Sequence, residues 1–385
     1  MPEKYIPPEA LAEFTADGMK KENETAPREK LAQDVQDIIV REGFSFDPET
    51  QERIEKQVVG AERYINVVGK RREGEREVER FLKIPVNDNP EIDEPFKRQV
   101  ELQKFLKEKS DMNMRGVIVS NTDREKGTPY AVIETLPDAK IGFITGDEDI
   151  ELLTKADANG AVQELEKLHG IDANAMPEEL QGQLRELLGS YEEFFNEMSE
   201  VLDKEVVPLD LEGDKPESLH QTLNRRFQIN NFREKALRLI EYWKDIINSE
   251  ENKGDFIVHG DLAPNNIYAG DNNEVEFLDW EWSGKSKNKL LATAIDLGTL
   301  RSGAWNNKEF REALDYEVIE HYKKQGKEKL GRAYASLSIF YSHIISAGFF
   351  ENYDKVEQRK ERQKRRREST EADIVKAWEV AGLKF

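Results

Sequence analysis

Short runs of β-branched and aromatic residues fill the first third of the chain, and longer stretches of helical period fill the rest. ERIEKQVV (52–59), RYINVV and REVERFLKI are three such runs, separated by Gly60-Ala61-Glu62 and by the turn-like GKRREGE around Gly69 and Gly74. They predict three strands of an antiparallel meander. Apolar Phe96, Val100, Leu102, Phe105 and Leu106 predict a helix over Ile92–Lys107. Arg115–Val119 and Tyr130–Leu136 then predict two more strands, the second ending at Pro137. Three strands, one helix and two strands make a compact α+β half-domain. Upstream, Leu31, Val35, Ile38 and Ile39 predict one amphipathic helix within 29–42. Residues 1–28 carry Pro2, Pro7, Pro8 and Pro27 with little periodicity and are expected to form a loosely ordered extension.

Beyond Pro137 the period is helical. Helices are expected at Asp149–Leu168, Pro177–Asp203, Ser218–Asn248, Lys308–Gln325, Lys327–Phe350 and Thr370–Ala381. One patch, Gly254–Trp282, breaks the rule: FIV (256–258), the loop HGDLAPNN, IYA (267–269), a Gly270–Asn273 turn and VEFLDW (275–280) read as strand, loop, strand, hairpin and strand. No repeat of solenoid period is present. The expected division is therefore 29–137, 138–355 and a basic helical tail, 356–385, whose RKERQKRRR run (359–367) reads as a solvated helix face or as a patch for an anionic partner.

Composition narrows the function classes. The 385 residues are 37% hydrophobic and 35% charged, with a formal charge of −21. That balance argues against non-specific nucleic-acid binding and suits a cationic substrate, although an acidic proteome gives the same number. The sequence has no cysteine, so disulfides, zinc–thiolate sites and thiol nucleophiles are excluded. The N-terminus shows no secretory pattern, and the most apolar run, Leu337–Phe350, is interrupted by Ser342, His343 and Ser346. A cytoplasmic protein without a membrane partner is the expectation.

The chemistry concentrates in His259-Gly260-Asp261-Leu262-Ala263-Pro264-Asn265-Asn266. Phosphoryl transfer asks little covalent chemistry of a protein but strict placement: a carboxylate at the acceptor hydroxyl, an amide and an Asp on Mg²⁺, and a lysine on the phosphates. Asn266 lies five residues after Asp261, the kinase-loop spacing, and Asp279 follows thirteen residues later at the end of an apolar strand. Mg²⁺ is a hard cation that takes one or two side-chain oxygens plus phosphates, which Asn266 and Asp279 can supply. The bland alternatives are an Asx-turn for Asp261 and a cap or turn residue for Asp279. The compound pattern, a loop between two strands followed by Leu-Asp-Trp-Glu, favours the chemical reading.

HGDLAPNN followed by FLDWEWSG resembles the aminoglycoside phosphotransferase and choline kinase-like family, the small-molecule branch of the protein-kinase-like fold. Gly260 and Trp280 stand where protein kinases carry Arg and Phe, and Asp296-Leu297-Gly298 and Leu168-His169 echo further family signatures. The resemblance implies a bilobal α+β fold: a small antiparallel-sheet N-lobe with one helix, and a larger, mainly helical C-lobe. It implies Asp261 as catalytic base, Asn266 and Asp279 as metal ligands, and His259 and Asp296 as braces of the loop. Lys83 is expected on the α- and β-phosphates of ATP or GTP, and Glu134-Thr135-Leu136-Pro137 at the adenine edge, with Glu134 and Leu136 as binding residues.

Two departures stand out. The phosphate loop expected between the first two strands, Gly60–Tyr64, has one glycine. The helix acid that should pair with Lys83 falls nearest Gln99, with Glu94 and Glu101 close by. For the acceptor, a small molecule bearing a hydroxyl, Trp280, Glu281, Trp282 and Trp305 suit a cation or are simply core, and sugars remain open. Two other readings compete: a catalytically weak nucleotide-binding pseudokinase, and a kinase that docks an anionic polymer on Arg359–Arg367. Oligomeric state is not legible.

Overall fold

The structure, a computed structural model, describes residues 25–59, 63–86, 90–135, 141–143, 152–187, 190–203, 205–206, 217–248, 252–270, 274–348 and 357–384. The chain divides into two compact units, Met1–Ala139 with Asp279–Trp282, and Lys140–Leu278 with Ser283–Phe385. The class is α+β, as expected. Residues 1–24 of the expected extension, the Gly60-Ala61-Glu62 segment, Leu136 and Pro137 lie outside the described residues.

The first unit contains helix α1 (Thr25–Arg41), strand β1 (Phe44–Ser45), helix α2 (Pro48–Val59) and strands β2 (Tyr64–Glu73) and β3 (Arg76–Pro85). Helix α3 (Pro90–Lys109), β4 (Val117–Asn121) and β5 (Tyr130–Glu134) follow. The sheet order is β1-β2-β3-β5-β4, antiparallel throughout. Period-two alternation sends successive side chains to opposite faces. Ile65, Val67, Leu82, Ile84 and Val132 pack with Val35, Ile38 and Ile39 of α1 and Ile54 of α2. Tyr64, Phe81, Ala131 and Ile133 pack with Ile92, Phe96 and Val100 of α3. Cover on both faces runs along β5 and the second half of β3, Leu82–Pro85; the outer ends of β2 and β3 are charged and largely exposed.

One predicted strand is corrected. ERIEKQVV is the body of helix α2, not a strand. Its start signal lies just upstream: Pro48 takes the first helical position, and Asp47 accepts the Thr50 N–H at 2.7 Å. Only Ile54 within 52–54 needs a buried seat, which a helix face provides. The first two strands are therefore β1 and β2, and the segment between them carries a helix as well as Gly60–Arg63.

The second unit begins with β6 (Ile141–Phe143) and helix α4 (Lys155–Leu168), the latter closed by a Thr154–Asp157 capping box. Next come α5 (Glu178–Gln183), β7 (Arg185–Glu186), α6 (Tyr191–Asp203), β8 (Glu205–Val206), β9 (Glu217–Ser218), α7 (Leu219–Arg226) and α8 (Phe232–Ile247). The single helix expected over Ser218–Asn248 is thus two, divided where Gln228 and Asn231 adopt φ of 52° and 64°. The expected Pro177–Asp203 helix is likewise interrupted by β7.

Strands β10 (Lys253–Val258), β11 (Ile267–Ala269), β12 (Val275–Phe277) and β13 (Gly284–Asn288) build two small sheets, β10-β13-β7 and β12-β11-β6. Helices α9 (Lys289–Gly303), α10 (Lys308–Lys324), α11 (Glu328–Gly348), α12 (Glu357–Ile374) and α13 (Lys376–Ala381) complete the unit. No helix among the described residues is long and apolar enough to cross a membrane.

The C-terminal helices are not a solvated appendage. Arg366 donates to Ser302, and Arg367 pairs at 2.8 Å with Glu371, the latter two both fully buried. Asp373 accepts from Arg301 at 3.0 Å and Arg311 at 3.1 Å. The expectation of a solvated basic face therefore fails at Arg366 and Arg367; the side chains of 359–363 lie outside the described residues. Buried guanidiniums survive here because carboxylates and hydroxyls meet them.

Candidate active site

The loop 259–266 leaves strand β10 and enters β11 through a 3-10 turn at Pro264–Asn266. Its anchor is Asp296, fully buried at the middle of α9. Helix α9 is apolar on nearly every side (Leu290, Leu291, Ala294, Ile295, Leu297, Leu300), so it runs through the core and carries Asp296 inward with it. One Asp296 oxygen accepts the His259 N–H at 3.0 Å, and the other accepts the Gly260 N–H at 2.9 Å. His169, at the end of α4, approaches the first oxygen through Nε2 at 3.0 Å.

A carboxylate only accepts, so His169 donates from Nε2, and its Nδ1 accepts from the Thr293 hydroxyl at 3.2 Å. His259 is fixed in the same tautomer: Nε2 donates to the Leu278 C=O at 2.9 Å and Nδ1 accepts the Asp261 N–H at 3.4 Å. Gly260 sits at φ +83°, a backbone conformation that side-chain-bearing residues adopt at a cost. At the far end of α9, Gly303 lies so close to Pro264 that a Cβ there would meet the Pro264 ring at 2.2 Å. Helix α9 thus braces the loop at both ends.

Within the loop, the Asn266 amide nitrogen donates to the Asp261 C=O at 2.7 Å and to the Asp261 carboxylate at 3.0 Å. This fixes which end of the amide is nitrogen and turns Oδ1 away from Asp261. The β11–β12 hairpin continues the register: Ile267 pairs with Phe277, and the Leu278 N–H donates to the Asn266 C=O at 2.8 Å. Asp279 is the next residue in the chain.

In the first unit, Asp279 and Lys83 meet directly. The Lys83 ammonium lies 2.8 Å from Asp279 Oδ1, 2.7 Å from Gln99 Oε1 and 4.2 Å from the centroid of the Tyr64 ring. Gln99 on α3 is therefore the helix partner of Lys83, and the contact is a hydrogen bond to a neutral amide. Its companion Glu101 pairs with Lys104. Asp279 takes φ +60°, in the left-handed region that Asp tolerates better than most residues. Burial first, and then the negative charge of Glu281, pushes the Tyr64 hydroxyl far above its ordinary value. Glu281 is also buried: Arg63 reaches its Oε1 at 3.2 Å and Arg98 donates to its backbone C=O. Trp280 is core, at 1% exposure.

At the expected adenine edge, Glu134 closes β5. Its N–H is already given to the Gly116 C=O at 3.0 Å, and its carboxylate accepts the Gly116 N–H at 2.6 Å. Arg63 and Tyr64 are named by the sequence only as the end of the expected phosphate loop, Gly60–Tyr64, and Thr293 carries no signal beyond its three-residue step to Asp296 on one helix.

No protein-family model matches the chain, and no curated protein sequence matches it. Solved structures do resemble it. The chain is similar to aminoglycoside phosphotransferases and to choline and ethanolamine kinases. A choline/ethanolamine kinase family protein from Mesorhizobium loti matches at 14% identity over 86% of this chain and 98% of that one, with a TM-score of 0.44. An ethanolamine kinase from Plasmodium vivax matches at 13% identity over 93% and 96%, TM-score 0.44. The GDP complex of an aminoglycoside 2′-phosphotransferase-IIIa matches at 14% over 85% and 99%, TM-score 0.48.

Proposed function

We propose that this protein transfers the γ-phosphate of ATP or GTP to a hydroxyl of a small molecule. The observation that carries the reading is the hydrogen-bonded unit of Asp261, Asn266 and Asp296: a carboxylate held by an amide five residues on, in a loop suspended from a buried Asp. Asp261 orients the acceptor hydroxyl and takes its proton late in the transfer. Asn266, by donating to Asp261, fixes that carboxylate's rotation. His259 and Asp296 hold the loop and touch no substrate.

The donor set fits Mg²⁺. Among the described residues no three His, Asp or Glu side chains gather as a metal cage. Asn266 Oδ1, turned away from Asp261, and the Asp279 carboxylate are hard oxygen donors of the kind Mg²⁺ uses alongside phosphate oxygens. Held by Asn266 and Asp279, Mg²⁺ would supply positive charge against the phosphates. Lys83 supplies positive charge to the α- and β-phosphates, and Glu134 and Leu136 are the proposed neighbours of the base, although the Glu134 N–H is already engaged by Gly116.

A cationic acceptor agrees with the charge of −21, but Trp280 is buried and Glu281 is engaged by Arg63, so neither is offered as its seat. A second reading, a nucleotide-binding scaffold of weak activity, draws on the neutral Gln99 beside Lys83. The test is Mg²⁺-dependent ATP and GTP turnover across hydroxylated amines, aminoglycosides and neutral sugars. Asp261→Asn is expected to abolish acceptor-stimulated turnover while nucleotide still binds. Unchanged turnover removes Asp261 as base, and tight nucleotide binding without turnover on any acceptor decides for the scaffold.

A further inference from the structure

Two cations flank one aromatic ring in the first unit. The Lys83 ammonium lies 4.2 Å from the Tyr64 ring centroid, and the Arg63 guanidinium carbon lies 5.8 Å from the same centroid. Each cation is matched by a carboxylate of one short turn: Lys83 by Asp279 at 2.8 Å and Arg63 by Glu281 at 3.2 Å. The guanidinium also lies over Trp282, 5.7 Å from its ring centroid.

These carboxylates are not equivalent. Asp279 is over a third exposed at its side chain, whereas Glu281 is 7% exposed and faces the Tyr64 hydroxyl as well as Arg63. A carboxylate buried this far depends on such partners, and Arg63 is the cation that pairs with it. Arg63 retains a quarter of its side-chain exposure. Its planar fork of donors suits phosphoryl oxygens better than the single contact it makes with Glu281.

Arg63 also immediately precedes strand β2, within the expected phosphate loop, whose sequence holds one glycine, Gly60. A glycine-poor segment has fewer backbone amides able to turn toward an anion, so positive charge must come from side chains.

We propose that Arg63 is a second phosphate-binding cation of the nucleotide site, and that Glu281 competes with the phosphates for it. The proposal rests on the nucleotide-dependent reading above. Arg63 and Lys83 both lie against the Tyr64 ring, which puts the two cations in one neighbourhood for a polyphosphate. Glu281 keeps the guanidinium oriented and lowers its net attraction for anions until phosphoryl oxygens replace the carboxylate.

Calorimetric titration of the full chain with adenosine, ADP and ATP, each with Mg²⁺, tests this. Arg63→Gln is expected to weaken ATP binding by about tenfold or more, the usual scale for a lost charge-assisted hydrogen bond, and to leave adenosine within about twofold. Glu281→Gln is expected to tighten ATP binding by a few-fold, a gain that disappears in the double variant. Wild-type ATP affinity in Arg63→Gln, equal losses for adenosine and ATP, or weaker ATP binding in Glu281→Gln overturns the proposal. If the wild-type chain binds ATP and Arg63→Gln matches it, only the role of Arg63 falls. If the wild-type chain binds no nucleotide, the phosphotransferase reading falls with it.

Discussion

Replacing Asp296 by Asn changes one atom of a fully buried side chain, and three hydrogen bonds register the change. The carboxylate accepts from His259 N–H, Gly260 N–H and His169 Nε2 at 3.0, 2.9 and 3.0 Å. An amide keeps one accepting oxygen and turns the other position into a donor. If the nitrogen faces Gly260, two N–H groups oppose each other and one bond is lost. If it faces His259, that N–H is orphaned, and His169 must move its proton to Nδ1 and reverse its bond with Thr293. Each hydrogen bond to a charged acceptor contributes roughly 1.5–3 kcal/mol, and a buried orphan donor costs about 1–3 kcal/mol. The substitution should therefore destabilise by roughly 3–5 kcal/mol, a large share of the ~5–15 kcal/mol typical of a folded domain. Equilibrium urea denaturation reads the loss, and hydrogen exchange at the Gly260 amide localises it. A loss under about 1 kcal/mol, with that amide as protected as before, would refute the account of Asp296 as the loop's anchor.

Two further substitutions test how α9 is held. Asp373→Asn weakens the partner shared by buried Arg301 and Arg311 and should cost about 3–5 kcal/mol, read as a lowered denaturation midpoint. Burial alone would raise the Asp373 carboxyl, but Arg301 and then Arg311 outweigh it and hold it below the ordinary aspartate value. Its contribution is therefore complete above that value and is lost as pH falls through the lower folded one. Wild-type stability should drop below about pH 4, and the variant should lose part of that slope. Gly303→Ala would drive a methyl into Pro264 at 2.2 Å, so a loss of about 1–3 kcal/mol is expected, with shifts in the NMR signals of residues 261–266; an unchanged midpoint and spectrum would separate α9 from the loop.

Much of the candidate site is legible in the sequence because its signals are local. The Asp261–Asn266 interval is fixed by a single loop whose flanking strands declare themselves by β-branched runs, and the hairpin after Asn266 is short enough for spacing to place Leu278 beside it. Strands β2, β3, β4 and β5 are readable from their β-branched and aromatic runs, and helix α3 from the helical spacing of Phe96, Val100 and Leu102. Helix α2 was misread since its cap and Pro48 lie outside the run judged for strand character. The break at Gln228–Asn231 escaped because no Gly or Pro marks it.

What the sequence by itself determined is a candidate set: Asp261, Asn266 and Asp279 stand at the spacing of a phosphotransfer loop, with His259 as a brace and Lys83 marked by the resemblance of its strand. Tertiary structure decided which distant groups meet them. Lys83 finds Gln99 rather than Glu94 or Glu101 because the direction of α3 turns only Gln99 onto β3. Arg63 and Glu281, 218 residues apart, pair at 3.2 Å through no local pattern at all. Arg366 goes inside to Ser302, 64 residues away in the chain, which a run of basic residues read alone cannot announce; Arg367 pairs with Glu371 one turn on in the same helix, and only packing decides that this pair is buried. Local spacing fixes backbone geometry over a few residues; a counter-ion drawn from elsewhere in the chain is set only by how the elements pack.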